Sequence, residues 1–436
     1  GSMGAAMGKI SLQKAVANFQ QLIKRQVHHV ADLQGFEEVF GFYPQGLEAV
    51  LQIYPDCKAN FFTEVFPFIL QAAGHLDVES FELKKLDQGV VDRLFLPREL
   101  VLTLLAHMFL CTITDIGPNM PHAGFDLLLF RISQRQPQEV AKLRMFIHYF
   151  DRCRKEMPKG QLRIYRQVRA TPGRWRESTF PLLEMSVAPE LTGFEDEVGR
   201  GCLHADFANK SLGGGVLVGG CVQEEIRFAI CPELCAAMLV CPIMLDNEAI
   251  TIVGGEQFCS YNGYARSLTF GADYRDPSPR DADGTVLVAI TAMDALDFRG
   301  EDSSLRRQLQ EALVLRELEK AAAAFAPVDE AALVQWPVIA TGNWGCGAFE
   351  GCAELKAMLQ WLAASEGQRR LLYFPFELKV GPELVRLSQD LCRRGVTVGQ
   401  LYGALMSEPK PKKASDIFEH LRSKLVVAGR PASAGR

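Results

Sequence analysis

The chain has 436 residues, of which 48% are hydrophobic and 23% are charged. This composition is typical of a globular protein and excludes a disordered or fibrous chain, while the length allows one large domain or two ordinary ones. The formal net charge of −5 argues against a general nucleic-acid binder, which carries a strongly basic face. We therefore expect no direct, sequence-specific contact with nucleic acid.

The twelve cysteines are scattered through apolar segments such as MFLCTI and CAAMLVCPIM, and no CxxC pair is present. Cysteine in such settings behaves as a small hydrophobic residue, so we predict reduced thiols and an intracellular protein of the nucleus and/or cytoplasm. No His/Cys/Asp pattern has metal-ligand spacing, and we expect no metal. The longest apolar run, residues 100–113, is shorter than the roughly 20 residues of a spanning helix, so we expect no membrane partner.

The first part of the chain is predicted to be helical. Apolar residues recur at helical spacing in LQKAVANFQQLIKRQVHHV, VDRLFLPRELVLTLLAHMFLCTI and EVAKLRMFIHYFDRCRKEM. Pro97 in the second segment indicates a helix start. In the first segment, one buried stripe is predicted to contain Leu12, Val16, Phe19 and Ile23. We expect an α-helical accessory region over residues 1–160.

Short apolar strands alternate with amphipathic helices after about residue 160. The predicted strands are QLRIYRQV, CLHADFA, AITIVGG, TVLVAITAM, WPVIATGNWG and RRLLYFPF. The predicted helices are VQEEIRFAI, SLRRQLQEALVLRELEKAAAAF, ELKAMLQWLAAS and ELVRLSQDLCRRG. This alternation predicts a largely parallel or mixed sheet with helices on both faces, forming a second domain over residues 161–407.

Residues 408–436 form a tail of mixed composition. Its end, GRPASAGR, is small and polar, and we expect the tail to be partly flexible. The cluster KPKK is compatible with a nuclear signal, although a solvated basic linker is the more ordinary interpretation of so short a pattern.

The most informative stretch is GGGVLVGGCVQEE, in which residues 213–215 precede Gln223, Glu224 and Glu225. Glycines let backbone N–H groups approach an anion closely, and a helix start adds unpaired amides and partial positive charge. The stretch lacks the Lys-Ser/Thr of a P-loop and the spacing of a dinucleotide fingerprint. It could hold a phosphate group, and an ordinary flexible loop is the alternative.

The two adjacent acids have two possible uses. They either complement the dipole of the helix, or one of them is a general acid whose proton is retained by burial or by nearby negative charge. Asp206 and Asn209 leave the preceding strand on the same side as the loop and suit ribose hydroxyls. Together these groups suggest cleavage of a glycosidic bond at a sugar that carries a phosphate, a reaction that needs a carboxylic acid to protonate the leaving oxygen.

The stretch GGGVLVGGCVQEE resembles the signature of the poly(ADP-ribose) glycohydrolase family. The resemblance continues in ADFANK, EEIRFAICPEL, GGEQFCSYNGYA, ATGNWGCGAFEG and LLYFPF, and it covers roughly residues 193–406. It implies a macrodomain-like, three-layer α/β/α fold with a mixed central sheet and a helical extension. It also implies a glycosidase that cleaves the ribose–ribose 1''–2' bonds of poly(ADP-ribose) on modified proteins and releases ADP-ribose, without a metal or a cofactor.

The same resemblance implies roles for individual residues. Glu225 is the acid that protonates the 2′ oxygen of the departing ribose and then activates water; Glu224 positions the scissile ribose, and Asp206 is a supporting acid. The other implied residues are Asn209 and Gln223 at the ribose; Gly213, Gly214 and Gly215 along the diphosphate; Tyr264 over the ligand; Asn343, Gly345, Gly347, Ala348 and Phe349 in a second diphosphate loop; Phe376 stacked on adenine; and Phe194 and Glu195 at the adenine edge.

One departure and several alternatives remain open at this point. Glu350 follows GAF where family members more often carry Gly, so we expect a stiffer or more acidic second loop. Phe349 and Phe376 could be core aromatics, and Tyr264 an ordinary loop residue. Two other functions are a macrodomain that binds ADP-ribose without cutting it, which would lack the paired acids, and a hydrolase of another ADP-ribosyl linkage.

Overall fold

The computed structural model describes residues 9–76, 82–113, 116–131, 136–300, 302–376 and 380–425. The strands are β1 (Lys9–Ser11), β2 (Glu82–Lys84), β3 (Asp92–Pro97), β4 (Gln161–Val168), β5 (Met185–Val187), β6 (Leu203–Asp206), β7 (Glu248–Val253), β8 (Cys259–Asn262), β9 (Thr269–Asp273), β10 (Ala289–Ala292), β11 (Val338–Gly342) and β12 (Arg370–Phe374).

The α-helices are α1 (Gln13–Lys24), α2 (Leu33–Phe40), α3 (Gln45–Ile53), α4 (Pro55–Asn60), α5 (Phe66–Ala73), α6 (Arg98–Phe109), α7 (Asp126–Phe130), α8 (Pro137–Lys155), α9 (Gln223–Ile230), α10 (Leu305–Gln308), α11 (Glu311–Phe325), α12 (Glu330–Gln335), α13 (Ala353–Glu366), α14 (Gly381–Arg393), α15 (Val398–Leu405) and α16 (Asp416–Leu425). A π-helical turn, Phe61–Val65, lies between α4 and α5.

The strands form an eight-stranded sheet in the order β3-β4-β7-β10-β6-β11-β12-β5. The pairs β10–β6, β6–β11, β11–β12 and β12–β5 are parallel, whereas β3 and β4 are antiparallel. The predicted mixed sheet of an α/β protein is therefore confirmed. All residues of β6, β7 and β10 are buried, as expected for strands that helices cover on both faces.

Among the described residues the chain divides into two compact units. The first comprises Gly1–Arg166, Ala208–Met244 and Ile252–Leu287, and the second comprises Gln167–Phe207, Leu245–Thr251 and Val288–Arg436. The domain boundaries predicted near residues 160 and 407 remain predictions.

The core of the first unit is built around α8, of whose 19 residues 14 are buried. Its Phe146 ring packs edge-on against Phe125 at 4.7 Å between ring centroids, and Phe150 packs against Phe109 at 5.5 Å. Such aromatic pairs contribute about 0.5–1.5 kcal/mol beyond the area that they bury. α8 is therefore a central helix that can position neighbouring segments.

The second unit packs the helices α11 and α13 close to the parallel strands. Leu318 and Phe325 of α11 and Trp361 of α13 are almost completely buried. The indole N–H of Trp361 donates to the carbonyl oxygen of Leu183 at 2.6 Å, so this bulky side chain is buried without an unsatisfied donor.

Most predicted elements are confirmed, with three corrections. Residues 91–97 are not helical, because β3 pairs with β4 and the helix begins only after Pro97. Ile23 does not belong to the buried stripe of α1; it is 40% exposed, and Leu22 is buried in its place. Residues 304–325 form two helices, because Gln310 is extended and the carbonyl oxygen of Leu309 accepts from Lys410.

The expected flexible end GRPASAGR lies outside the described residues, while α16 falls within the predicted tail. In the part of the chain that the structure describes, no helix is both long and apolar enough to cross a bilayer.

Candidate active site

The structure places the predicted site residues in two groups, one in each unit. The first unit contains Asn209, Gly213, Gly214, Gly215, Gln223, Glu224, Glu225 and Tyr264. The second unit contains Phe194, Glu195, Asp206, Asn343, Gly345, Gly347, Ala348, Phe349 and Phe376.

The glycine loop, residues 213–220, folds into successive tight turns beside the start of α9. Gly213 and Gly214 have φ angles of +81° and +48°, a region that favours glycine. A Cβ atom at Gly214 would lie 2.5 Å from the Oε1 atom of Glu225 and 2.7 Å from the Oε2 atom of Glu224. Glycine is therefore required at this position by both conformation and space.

Glu224 is 2% exposed, and its carboxylate ties together two points of the backbone. Oε1 accepts from the N–H of Gly213 at 2.6 Å, and Oε2 accepts from the N–H of Asn209 at 2.8 Å. The side chain of Asn209 in turn accepts from the N–H of Ser211 at 3.0 Å. The sequence did not predict this bracing role, in which Glu224 holds the segment before the loop in place.

Glu225 is 7% exposed and combines a helix cap with a loop contact. Oε2 accepts from the N–H of Val222 at 2.8 Å, and Oε1 accepts from the N–H of Gly215 at 2.9 Å. Val222 has no polar side chain, so only the glutamate half of a capping box exists here. Both acids point to the glycine loop, as expected for a helix start.

The N–H groups of all three glycines donate within the protein, because Gly214 donates to the carbonyl oxygen of Ser211 at 3.0 Å while its two neighbours donate to the glutamates. These three N–H groups are therefore engaged within the protein rather than directed to a ligand.

Lys142 of α8 lies against the glycine loop, and the sequence analysis missed it. Its ammonium group donates to the carbonyl oxygens of Gly215 at 3.1 Å, Val218 at 2.6 Å, and Gly220. The only signal in the sequence is a lysine inside the apolar segment VAKLRMF, where a charge needs buried partners.

Tyr264 lies in the connection between β8 and β9 and is 42% exposed. Its hydroxyl group hydrogen bonds with the backbone of Gln223, the first residue of α9. Burial raises the pKa of Tyr264, and the charge of Glu225 raises it further. Tyr264 is therefore close to the predicted catalytic acid, and its place over the ligand remains a prediction.

Helix α8 also holds the β8–β9 hairpin that carries Tyr264. The guanidinium group of Arg144 lies 4.3 Å from the ring centroid of Phe270, and Nε2 of His148 lies 3.0 Å from a carboxylate oxygen of Asp273. Arg152 forms an ion pair with the same aspartate. Arg144, His148 and Arg152 follow one another at intervals of four residues, so they share one face of the helix.

In the second unit, Asp206 is the last residue of β6 and is almost fully buried. It is opposite Ala292 in the parallel pair β6–β10, and its carbonyl oxygen accepts from the N–H of Met293 at 3.1 Å. The carboxylate therefore lies at the carboxyl end of a central strand, where ligands of parallel sheets bind.

Asn343 supports the turn that carries Phe376. Its side-chain N–H donates to the carbonyl oxygen of Pro375 at 2.9 Å, and its side-chain oxygen accepts from the hydroxyl group of Tyr373 at 2.9 Å. Phe376 has a φ angle of +54° and is 45% exposed. This exposure argues against a core role for Phe376.

The loop of residues 343–351 is closed by a hydrogen bond of 2.9 Å from the N–H of Gly351 to the carbonyl oxygen of Gly345. Gly345 has a φ angle of +71°, and Glu350 has one of +58°. The second value explains why glycine suits position 350, since a non-glycine residue there is strained by roughly 1–2 kcal/mol. Gly347 and Ala348 are exposed.

Three predicted aromatic or acidic contacts have different environments. The ring of Phe349 is half-buried beneath the guanidinium group of Arg299 at 5.1 Å. Phe194 is buried and packs edge-on against Phe374 at 4.8 Å, whereas Glu195 is half-buried. The adenine contacts of Phe194 and Glu195 remain predictions.

Among the described side chains, no group of three or more His, Cys, Asp or Glu residues is arranged to hold a metal ion.

Comparison with known families gives two matches in chain order. The family described as poly(ADP-ribose) glycohydrolase (PARG), helical domain, matches residues 54–166. The family described as poly(ADP-ribose) glycohydrolase (PARG), Macro domain fold, matches residues 173–380. The expected macrodomain fold with a helical extension is thereby confirmed.

Two plant proteins are similar over most of their length. Poly(ADP-ribose) glycohydrolase 1 of Arabidopsis thaliana is 32% identical over 396 residues, which cover 74% of this chain and 71% of that protein. Probable poly(ADP-ribose) glycohydrolase 2 of the same species is 30% identical over 410 residues, which cover 80% and 78%.

Among solved structures, the chain is similar to poly(ADP-ribose) glycohydrolase from Deinococcus radiodurans in complex with ADP-ribose, with 19% identity and a TM-score of 0.31. The match covers 52% of this chain and 95% of that one, and the family assignment does not depend on it. The two domain matches and the two plant relatives show that the chain belongs to the poly(ADP-ribose) glycohydrolase family.

Proposed function

We propose that the protein is a glycosidase that hydrolyses the ribose–ribose O-glycosidic (1''–2') bonds of poly(ADP-ribose) on modified proteins and releases ADP-ribose. The observation that supports this function most directly is the anchoring of Glu224 and Glu225 by four backbone N–H groups, two of which belong to the glycine loop. An acid pair and a candidate diphosphate-binding segment thus form one structural element.

In the proposed reaction, Glu225 begins as the general acid. Its proton passes to the 2′ oxygen of the departing ribose while the C1''–O2' bond breaks and an oxocarbenium-like centre develops. The resulting carboxylate then takes a proton from a water molecule whose oxygen attacks C1''. The two backbone hydrogen bonds fix the direction of the carboxyl group, and about two of its four lone-pair sites remain for this chemistry.

The neighbouring residues are proposed to position the substrate. Residues 213–215 lie along the diphosphate, where the absence of Cβ atoms permits close approach. Glu224, Asn209 and Gln223 hold the scissile ribose, and Tyr264 covers the ligand from the β8–β9 hairpin. The hydrogen bond between Tyr264 and the backbone of Gln223 supports this placement.

The residues of the second unit keep the roles that the resemblance gives them. Phe376, exposed on a turn with positive φ, is proposed to stack on adenine, because an exposed aromatic face is suited to a planar base. Asp206 is proposed to act as a supporting acid at the end of β6. The loop of residues 343–349 is proposed to approach a phosphate group, since Gly347 and Ala348 are exposed there.

The decisive test compares Glu225→Gln with Glu224→Gln on labelled polymer. The pair is matched, because each glutamate is buried and accepts two backbone N–H groups, of which glutamine can keep only one. We expect Glu225→Gln to lower kcat by roughly 10²–10⁴-fold, the usual contribution of a general acid. Glu224→Gln should act mainly on KM.

The alternatives give different results in the same assay. A wild-type protein that binds ADP-ribose but leaves the polymer intact would be a binding module, and a protein that releases only single protein-linked units would be a hydrolase of another linkage. Full activity of Glu225→Gln would remove the acid role from Glu225 while the glycosidase function survives. Complete loss of activity on adding EDTA would overturn the expectation that no metal is needed.

We also propose an intracellular location, in the nucleus and/or cytoplasm. All twelve cysteines lie in the described part of the chain and are free thiols, eight of them buried. Free cysteines are typical of proteins in reducing compartments, whereas secreted proteins tend to pair them.

A further inference from the structure

Lys142 is fully buried, yet it is a cation in the middle of the apolar helix α8. An ammonium group has three N–H donors and no acceptor, and burying it without partners is very unfavourable. The structure provides three partners for three donors, and all of them are carbonyl oxygens of the glycine loop, at Gly215, Val218 and Gly220. The three backbone hydrogen bonds of this lysine in the described structure therefore all go to the glycine loop.

We propose that Lys142 is a positioning residue that fixes the glycine loop in the conformation needed for substrate binding and for the alignment of Glu225. This proposal rests on the proposed function of the loop. Because the three carbonyl oxygens accept from Lys142, the ammonium group compensates their partial negative charge within the loop. The positive charge behind the loop also favours an anionic ligand.

The connection to the catalytic acid passes through one residue. The carbonyl oxygen of Gly215 accepts from Lys142, and the N–H of the same glycine donates to Glu225 at 2.9 Å. A shift of Gly215 therefore moves one of the two hydrogen bonds that orient the carboxyl group. A displacement of about 1 Å in a reacting group can cost 10²-fold in rate.

The titratable groups that face Lys142 come from α8, the loop, α9 and the turn after α9: Glu139, Cys221, Glu225 and Cys235. Burial lowers the pKa of Lys142 to about 8, while these groups act in the opposite direction. Above that pH the group is a neutral amine with two donors, which no longer matches three carbonyl oxygens. We expect kcat/KM to fall as the pH rises through about 8.

The effect on stability has the opposite sign. Since the pKa of Lys142 is lower in the folded than in the unfolded chain, the unfolded chain binds more protons between about pH 8 and 10.5. The contribution of this group to stability therefore increases over the same range in which activity falls. If activity falls in this pH range while the protein stays folded, the loss of activity is due to the loss of loop positioning and not to unfolding.

The experiment compares wild type, Lys142→Met and the matched control Lys320→Met. Lys320 is also fully buried; it donates to the backbone carbonyl oxygens of Leu245 at 2.5 Å and Glu248 at 2.7 Å and forms an ion pair with Asp294 at 2.7 Å. It lies in the second unit, whereas the glycine loop belongs to the first. Methionine keeps the length of the side chain and removes the charge. The measurements are kcat, KM, the Kd for ADP-ribose, circular dichroism and activity from pH 6 to 10.

For Lys142→Met we expect a decrease in kcat/KM of about 10²-fold, a weaker Kd for ADP-ribose and loss of the activity decline centred near pH 8. Lys320→Met should retain the wild-type pH profile and kcat even if it unfolds at a lower temperature. Equal activity losses in the two folded variants would overturn the proposal.

The proposal can still be tested if Lys142→Met does not fold or if wild type does not cleave the polymer. If Lys142→Met does not fold, the wild-type profile decides, and unchanged activity between pH 7 and 9.5 overturns the proposal. If wild type does not cleave the polymer, the proposed function fails by itself. The Kd for ADP-ribose then tests Lys142 independently, and an unchanged Kd in a folded Lys142→Met variant overturns its positioning role.

Discussion

Gly214 lies against the carboxylates of Glu224 and Glu225, and it combines a positive φ angle with a lack of space for any side chain. Its neighbour Gly220 is restricted by the same acid, because a Cβ atom there would lie 2.7 Å from the Oε1 atom of Glu225. The two glycines thus lie close to the carboxyl group of Glu225, the proposed catalytic acid, from both ends of the loop.

Replacement of Gly214 by alanine is expected to lower kcat/KM by about 10²-fold or more. The new methyl group must displace one carboxylate, and the left-handed conformation adds roughly 1–2 kcal/mol of strain. Steady-state kinetics on the polymer and thermal unfolding measure the two effects.

Gly403→Ala is the control for this substitution. Gly403 lies inside α15, and a Cβ atom added there would have nothing within 4 Å, so alanine should stabilise the protein by about 0.5–1 kcal/mol and leave kcat unchanged. Wild-type kinetics in Gly214→Ala would show that the loop tolerates a Cβ atom and that its geometry is not required for catalysis.

The sequence was sufficient to predict the acids and the glycines, because they are contiguous and match a specific motif. It was not sufficient to predict Lys142, whose partners are 73 to 78 residues away along the chain. A lysine within an apolar helical pattern indicates only that a buried partner must exist. Which carbonyl groups it meets depends on how α8 packs against the loop.

At the scale of elements, α8 positions two parts of the site in the first unit. Lys142 near its start holds the glycine loop, and three residues farther along hold the β8–β9 hairpin that carries Tyr264. One helix therefore contacts both the glycine loop and the hairpin that carries the tyrosine proposed to cover the ligand. This arrangement gives the helical region a direct role in the geometry of the site.

The Asp273→Asn variant tests the hold of α8 on the hairpin. The carboxylate of Asp273 accepts from His148 and Arg152, and asparagine removes the negative charge of this shared acceptor. Because the aspartate is 46% exposed, we expect a stability loss of only about 1 kcal/mol, but faster hydrogen exchange in residues 259–273 and a several-fold higher KM.

Asp390→Asn provides the control, since this aspartate is 44% exposed and, among the ion pairs of the described residues, pairs only with Arg393 on the same helix. It should leave exchange in the hairpin and KM unchanged. Unchanged exchange in Asp273→Asn would instead show that aromatic packing alone holds the hairpin to α8.

Periodicity predicted the long elements well and the short ones poorly. α8 and β4 follow clear helical and strand patterns, and both were found. The β8–β9 hairpin was missed, although Asn262 and Gly263 form a dipeptide typical of hairpins and Gly263 has a φ angle of +76°. At the break between α10 and α11 the carbonyl oxygen of Leu309 accepts from Lys410, a partner 101 residues away that local sequence could not indicate.

At the scale of the whole molecule, the compact units do not follow the order of the chain. The glycine loop and α9 occur in the sequence after the first strands of the macrodomain match, yet they belong to the same unit as α8. The helical region therefore contacts, through Lys142, the loop that donates to Glu225. Pattern analysis separates segments along the chain and does not detect this interleaving.

The cysteines provide a prediction for the molecule as a whole. Burial raises the pKa of Cys111 and Cys346 to about 12 and that of Cys352 to about 11, so even half-buried thiols carry little thiolate at pH 8. Since thiolate is the reactive form, we expect native protein to react with a thiol reagent slowly and at no more than the four half-buried positions.

After unfolding in guanidinium without reductant, twelve thiols should react. A lower number would reveal disulfides and contradict the proposed reducing compartment. Rapid reaction of more than four thiols in the native state would instead show that the buried cores of the units open on the timescale of the reagent. The two measurements therefore test the location of the protein and the tightness of its packing separately.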